Sequence, residues 1–290
     1  MKIIDPHLHL FDLTQGQYHW LRPENPPNWP DKSVIQQNFN EHQLALDSPL
    51  TLVGFVHIEA GFDNVQPWRE LQWLEANCQL PFKAVACANI GLPTEQFIKQ
   101  ISQLQQQKSL IGIRHILDDD AVTLLSKPQA IDNFNYLAAE QLSFDCQLSF
   151  ADDAAIIALC QVLTQIPELV CIINHAGFAP LTTNTPEFHG WHHNLQRLAK
   201  FPQVVIKCSG WEMQNRHYQA SAIKCITETC INVFGISRVM LASNFPLTLF
   251  SCSYQGYWHQ ISTQFQPQLL ENLCYNNSKN WYKLDSISIT

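Results

Sequence analysis

Charge is scarce in this 290-residue chain. Charged residues make up 14% of it, against roughly a quarter in an average soluble domain. Lys and Arg number 17 against 25 Asp and Glu, a net charge of −8. The cations are scattered and form no basic stripe, which excludes a nucleic-acid-binding surface of the usual kind. No stretch approaches the roughly 18 continuous apolar residues of a membrane span. The first residues, MKIIDPHLHL, carry Asp5 and two histidines where a signal peptide needs an unbroken apolar region. None of the ten cysteines forms a C-x-x-C pair, and most lie in apolar runs such as VACANI and LVCIIN. That distribution fits reduced, buried thiols rather than a disulfide framework. The expectation is a cytoplasmic globular protein that engages neither membrane nor nucleic acid, with a small molecule as its partner.

Hydrophobic residues make up 46% of the chain, enough for a large core. Short, β-branched apolar runs recur at 3–5, 51–60, 83–90, 110–117, 143–150, 169–177, 204–210 and 238–246. Such continuous runs suit strands buried on both faces of a parallel sheet. Between them lie segments of helical period at 68–78, 94–107, 152–165, 191–201 and 221–235. A last apolar-spaced stretch predicts a closing helix near 258–282. Eight strands alternating with helices over this length predict a (β/α)8 TIM barrel in one domain spanning 1–290. A doubly wound open sheet is the competing architecture, but no G-x-G-x-x-G follows the first run. Segment 13–32 is rich in Pro and Trp and has no period. Following strand 1 directly, it reads as an active-site lid; a packed cap at the barrel edge is the alternative.

In a barrel the C-terminal strand ends share one mouth. Here those ends carry His7 and His9 (first run), His57 and Glu59 (second), Arg114 (fourth), Gln147 (fifth), His175 (sixth), Lys207 (seventh) and Asn244 (eighth). His7 and His9, at i and i+2, point to one face and can bind a metal ion or flank an anionic group. His175 adds a third imidazole from across the mouth. Arg114 is a fork for a carboxylate, or an ion-pair partner of Glu59 or Asp145. His57, Gln147 and Lys207 are candidates to contact substrate or to support those that do. His115, His189, His192 and His193 are set aside as pointing elsewhere.

These ends resemble the amidohydrolase superfamily, in its amidohydrolase-related branch of lactonases, which includes sugar-lactone hydrolases and 2-pyrone-4,6-dicarboxylate hydrolase. The matching stretches are IDPHLHLFD (4–12), AGFDNVQPWRELQWLE (60–75), GIRH (112–115), INHAG (173–177), GWHHNLQRLAKFPQVVIKCSG (190–210) and RVMLASNFP (238–246). The resemblance implies hydrolysis of a cyclic ester at the barrel mouth. His7, His9 and His175 would be the family histidines and Arg114 the holder of a substrate carboxylate. It also implies either one divalent metal, with zinc suited to three imidazoles, or a metal-independent site. The family's strand 8 reads Ser-Asp-Trp-Pro, whereas here it reads Ser243-Asn244-Phe245-Pro246. The missing aspartate is the general base the resemblance implies; an amide orients water but does not carry its proton. Asn244 and His175 are then the catalytic candidates. Three readings stand: a lactone hydrolase, a barrel that has lost catalysis and binds a small ligand or partner, and a decarboxylase-type lyase.

Overall fold

The computed structural model describes residues 1–284. Eight parallel strands occur in sequence order: β1 (Lys2–Leu8), β2 (Thr51–Ile58), β3 (Phe82–Cys87), β4 (Leu110–Ile116), β5 (Ser143–Gln147), β6 (Cys171–Ile173), β7 (Val204–Cys208) and β8 (Val239–Leu241). Just beyond β8 the chain returns to β1 through Asn244 N–H to His7 C=O (2.9 Å) and His9 N–H to Phe245 C=O (2.6 Å). The result is the expected (β/α)8 barrel. Of the domain expected over 1–290, residues 285–290 lie outside the described residues.

Strand alternation sorts the core into two. Ile3, Phe144, Ile173, Val204, Ile206 and Leu241 turn outward onto the helices. Ile4, Val56, Val85, Ile111, Ile172, Val205 and Met240 turn inward, and Tyr282 joins them. Two residues along from Val205 and Ile172, the same inward face carries Lys207 and Asn174. An apolar layer therefore sits under a polar one, and the polar one faces the mouth.

Helices at Trp68–Asn77, Thr94–Leu104, Asp153–Gln165, Pro186–Ala199 and Ala220–Phe234 fall where the helical period places them, and Gly235 follows the last. The helix Pro128–Ala139 is additional to those the period predicts. Its Pro occupies the first turn, where a missing N–H costs nothing. The closing helix near 258–282 is instead two pieces, Tyr254–Ser262 and a run beginning at Pro267 and ending at Trp281. Pro267 has no N–H to continue a helix from the preceding turn. All ten cysteines are free, and none is exposed. Among the described residues no helix is long and apolar enough to cross a membrane.

Candidate active site

The polar layer begins with Asp145, fully buried on β5. It accepts hydrogen bonds from Lys207 Nζ, from Asn174 Nδ2 (3.0 Å) and from the Tyr282 hydroxyl (3.0 Å). Lys207 also donates to the Pro6 carbonyl (3.2 Å) and faces Nδ1 of His7 at 3.2 Å. An ammonium has three donors, and these three acceptors use them all. Burial pulls the Lys207 pKa down to about 8, with Asp145 working against it, so the ammonium persists at neutral pH. An ammonium donates only. His7 Nδ1 is then an acceptor, and the neutral ring carries its proton on Nε2.

That Nε2 is buried and has no protein partner. His9 has the opposite polarity. Its Nδ1 lies 2.7 Å from the Ile58 carbonyl, which only accepts, so Nδ1–H donates and Nε2 keeps its lone pair. His175 Nδ1 pairs with the Ser209 hydroxyl at 3.0 Å. The ring of His7 lies 5.1 Å from that of His9 and 4.7 Å from that of His175, between centroids. All three pKa values are held well below the ordinary histidine range. Burial is the largest cause; next come Lys207 for His7 and Arg114 for the other two. Three neutral imidazoles thus converge.

Local backbone makes this possible. After β6 the chain turns through left-handed residues His175 (φ 54°), Ala176 (φ 51°) and Phe178 (φ 56°); Asn244 (φ 57°) does the same after β8. Each costs roughly 1–2 kcal/mol for a non-glycine residue. Strained residues cluster where side chains must be aimed. Gly210 (φ 75°) clears the space beside His175, since a Cβ there would lie 2.6 Å from His175 Nδ1.

Asn244 joins the cluster through its backbone bond to His7. Its Nδ2 donates to Glu212 Oε1 at 2.5 Å, while its Oδ1 is buried without a protein partner. Glu212, in the short helix Trp211–Gln214, is itself buried. Burial raises its pKa to about 7. Sequence reading missed Glu212, which lies past the end of β7 and outside any strand. The available signal was a rare acidic residue between Trp211 and Met213, just after the Ser209-Gly210 turn.

The remaining candidates are held by protein partners. Arg114 donates through Nε to Glu59 Oε1 (2.7 Å) and through Nη2 to the Glu59 carbonyl (2.8 Å), leaving Nη1 facing Gln147 Oε1 at 3.4 Å. His57 Nδ1 accepts from Leu10 N–H (3.3 Å) and its Nε2 meets Glu70 (3.0 Å), so both ring nitrogens are occupied. Asp5 supports the turn after β8, accepting from the Ser243 backbone N–H (3.2 Å) and the Ser243 hydroxyl. Segment 13–32 reaches the loops that follow β2, β7 and β8. Trp20 Nε1 donates to the Ala60 carbonyl (2.7 Å), Asp31 pairs with Arg216 (2.8 Å), and Trp29 packs on Phe250 (centroids 5.3 Å).

A metal ion does not suit this arrangement. Among the described residues no group of three His, Cys, Asp and Glu side chains is placed to hold one. His7 presents an N–H rather than a lone pair. Two cations, Lys207 and Arg114, act on the imidazoles, and the strand-8 position offers an amide, not a carboxylate.

A family model described as amidohydrolase matches residues 4–284. The chain is 29% identical to the uncharacterized protein y4mH of Sinorhizobium fredii, an alignment covering 98% of this chain and 99% of the other. It is 23% identical to an L-fucono-1,5-lactonase of Burkholderia multivorans, over 87% of this chain and 84% of that one. Among solved structures, an amidohydrolase from Burkholderia multivorans with bound zinc superposes with a TM-score of 0.80 at 18% identity, covering 98% and 99% of the two chains.

Proposed function

The chain belongs to the amidohydrolase family, and on that premise we propose that it hydrolyses the lactone of a small acidic or sugar-acid substrate without a metal ion. One observation carries this reading. Two buried polar atoms, His7 Nε2 and Asn244 Oδ1, lack protein partners, and their residues are joined by the Asn244 N–H to His7 C=O bond. The first is a donor and the second an acceptor, which a carbonyl oxygen and a water molecule would satisfy together. Likeness to an L-fucono-1,5-lactonase supports a cyclic ester as the carbonyl compound.

In this reading the His7 Nε2–H binds the lactone carbonyl oxygen and stabilises the oxyanion. Asn244 Oδ1 holds the attacking water. The water oxygen bonds to the carbonyl carbon and its proton passes to Nε2 of His175, whose Nδ1–H stays on Ser209. Collapse of the tetrahedral intermediate breaks the ring C–O bond. The alkoxide takes the proton back from His175, leaving a hydroxy acid. The Arg114 Nη1 edge and Gln147 meet a polar substituent of the ring. Lys207 acts through His7, and His57 acts through the Leu10 backbone beside His9. Segment 13–32 is the lid over this mouth.

The test is a hydrolysis screen of sugar-acid 1,5-lactones and a carboxylated pyrone with the purified protein. His7→Asn and His175→Asn should each lose about 10²–10⁴-fold in kcat/KM. If no lactone turns over while a carboxylated phenol loses carbon dioxide, the lyase reading replaces this one.

A further inference from the structure

We propose that Glu212 is a positioning residue for Asn244: by accepting the amide N–H, its carboxylate turns Asn244 Oδ1 toward the water that attacks. This rests on the hydrolytic reading above. A primary amide can present either its oxygen or its NH2 group to the site, and only its neighbours decide which. Here the deciding neighbour is Glu212, 2.5 Å from Nδ2. An ionised carboxylate only accepts, so it holds the NH2 group and leaves the oxygen to the site. A protonated carboxyl donates as well and releases the amide to turn.

The surroundings compensate Glu212 only in part: Asn244 and Arg216 favour its charged form, but burial outweighs them. Asn244 faces it from the end of β8. Arg216, one turn on, donates to the Glu212 backbone carbonyl, but its Nε and Nη2 are spent on Asp31 at 2.8 and 2.9 Å. Its guanidinium stacks on Phe250, 4.1 Å from the ring centroid. The other titratable groups facing Glu212 are Tyr218 and Tyr257, whose pKa values burial raises, so both stay neutral hydroxyls. With burial dominant, Glu212 gains its charge only near pH 7. Ionisation, amide orientation and water capture are thereby linked. Hydrolysis should rise with pH through that range.

Two measurements test this. The first is NMR of the Asn244 side-chain amide from pH 5 to 9, identified by its loss in Asn244→Asp. The wild-type signal should move with a midpoint near 7, and in Glu212→Gln it should not titrate. The second is kcat/KM against pH on the lactone found in the screen. The wild type should show an ascending limb near pH 7. Glu212→Gln should lack that limb, because glutamine does not ionise and, like the protonated carboxyl, both donates and accepts at every pH, and Glu212→Leu should lose about 10-fold or more in kcat with KM little changed. An Asn244 signal insensitive to pH, or a limb retained in Glu212→Gln, overturns the proposal. An amide that titrates in a protein that hydrolyses no lactone upholds the coupling and refutes the hydrolytic reading instead.

Discussion

The Lys207 ammonium stands 3.2 Å from Nδ1 of His7, across 200 residues of sequence, and so decides which nitrogen of His7 carries a proton. With its other donors on Asp145 and the Pro6 carbonyl, Lys207 has none left for a ligand. The same cation fixes the donor polarity of His7 and makes the imidazole cluster unfavourable to a metal ion.

Removing one member of the Lys207–Asp145 pair should be far worse than removing both. Lys207→Met leaves Asp145 charged and buried, with only Asn174 and Tyr282 bonded to it. The expected cost is about 3–5 kcal/mol in urea unfolding. Lys207→Met combined with Asp145→Asn should recover most of it. A single-variant loss below about 1 kcal/mol would show that the pair is not buried as described.

Asn244→Asp tests the role of the strand-8 position. Alone, it sets two carboxylates against each other at the distance now separating Asn244 from Glu212. They would share a proton, and one of them would titrate well above the ordinary range. The single variant should therefore gain activity only toward alkaline pH. In the double variant with Glu212→Gln, the glutamine amide donates to the introduced carboxylate and no proton need be shared. There the gain should be on the order of 10²-fold at pH 7, the usual worth of a positioned base. A double variant no faster than wild type would show that position 244 does not touch the attacking water.

Gly210→Ala probes His175 without altering any titratable group. The new Cβ would crowd His175 Nδ1 at 2.6 Å and would sit at φ 75°. The strain costs about 1–2 kcal/mol, whereas displacing a reacting imidazole by an ångström lowers kcat about 10²-fold. A large activity loss with a melting temperature only a few degrees lower is expected. Equal activity in the two proteins would remove His175 from the reacting atoms.

Glu212 also leaves a signature on stability. Its folded pKa, about 7, lies above the ordinary 4.5. The folded state therefore keeps the proton between these values while the unfolded state releases it. Stability drawn from this group falls as pH rises from 4.5 through 7 and stays low above. Glu212→Gln does not titrate, so its stability relative to wild type should climb across that window by on the order of 3 kcal/mol. A difference that is flat in pH would mean that Glu212 is solvated.

The barrel was legible because β-branched runs such as LVCIIN and VVIKC are apolar on both faces, a pattern only a covered parallel sheet needs. His7, His9 and His175 were legible because polar residues concentrate at the ends of those runs. The polarity of each imidazole was not. It depends on Lys207 and on the Ile58 carbonyl, partners far away in sequence. Arg114 reads from sequence as a substrate fork or an ion-pair member, and only the Glu59 contact separates its engaged edge from Nη1. Glu212 offered only the faint signal of a lone acidic residue after the Ser209-Gly210 turn, with no strand or helical period to place it.

Lactone hydrolysis by neutral imidazoles and Asn244, without a metal ion, is tested most directly by turnover of protein stripped with chelator, beside elemental analysis of the same sample. Undiminished kcat/KM at far less than one metal per chain is the predicted result. Turnover that vanishes with the metal and returns in proportion to added zinc would contradict the account.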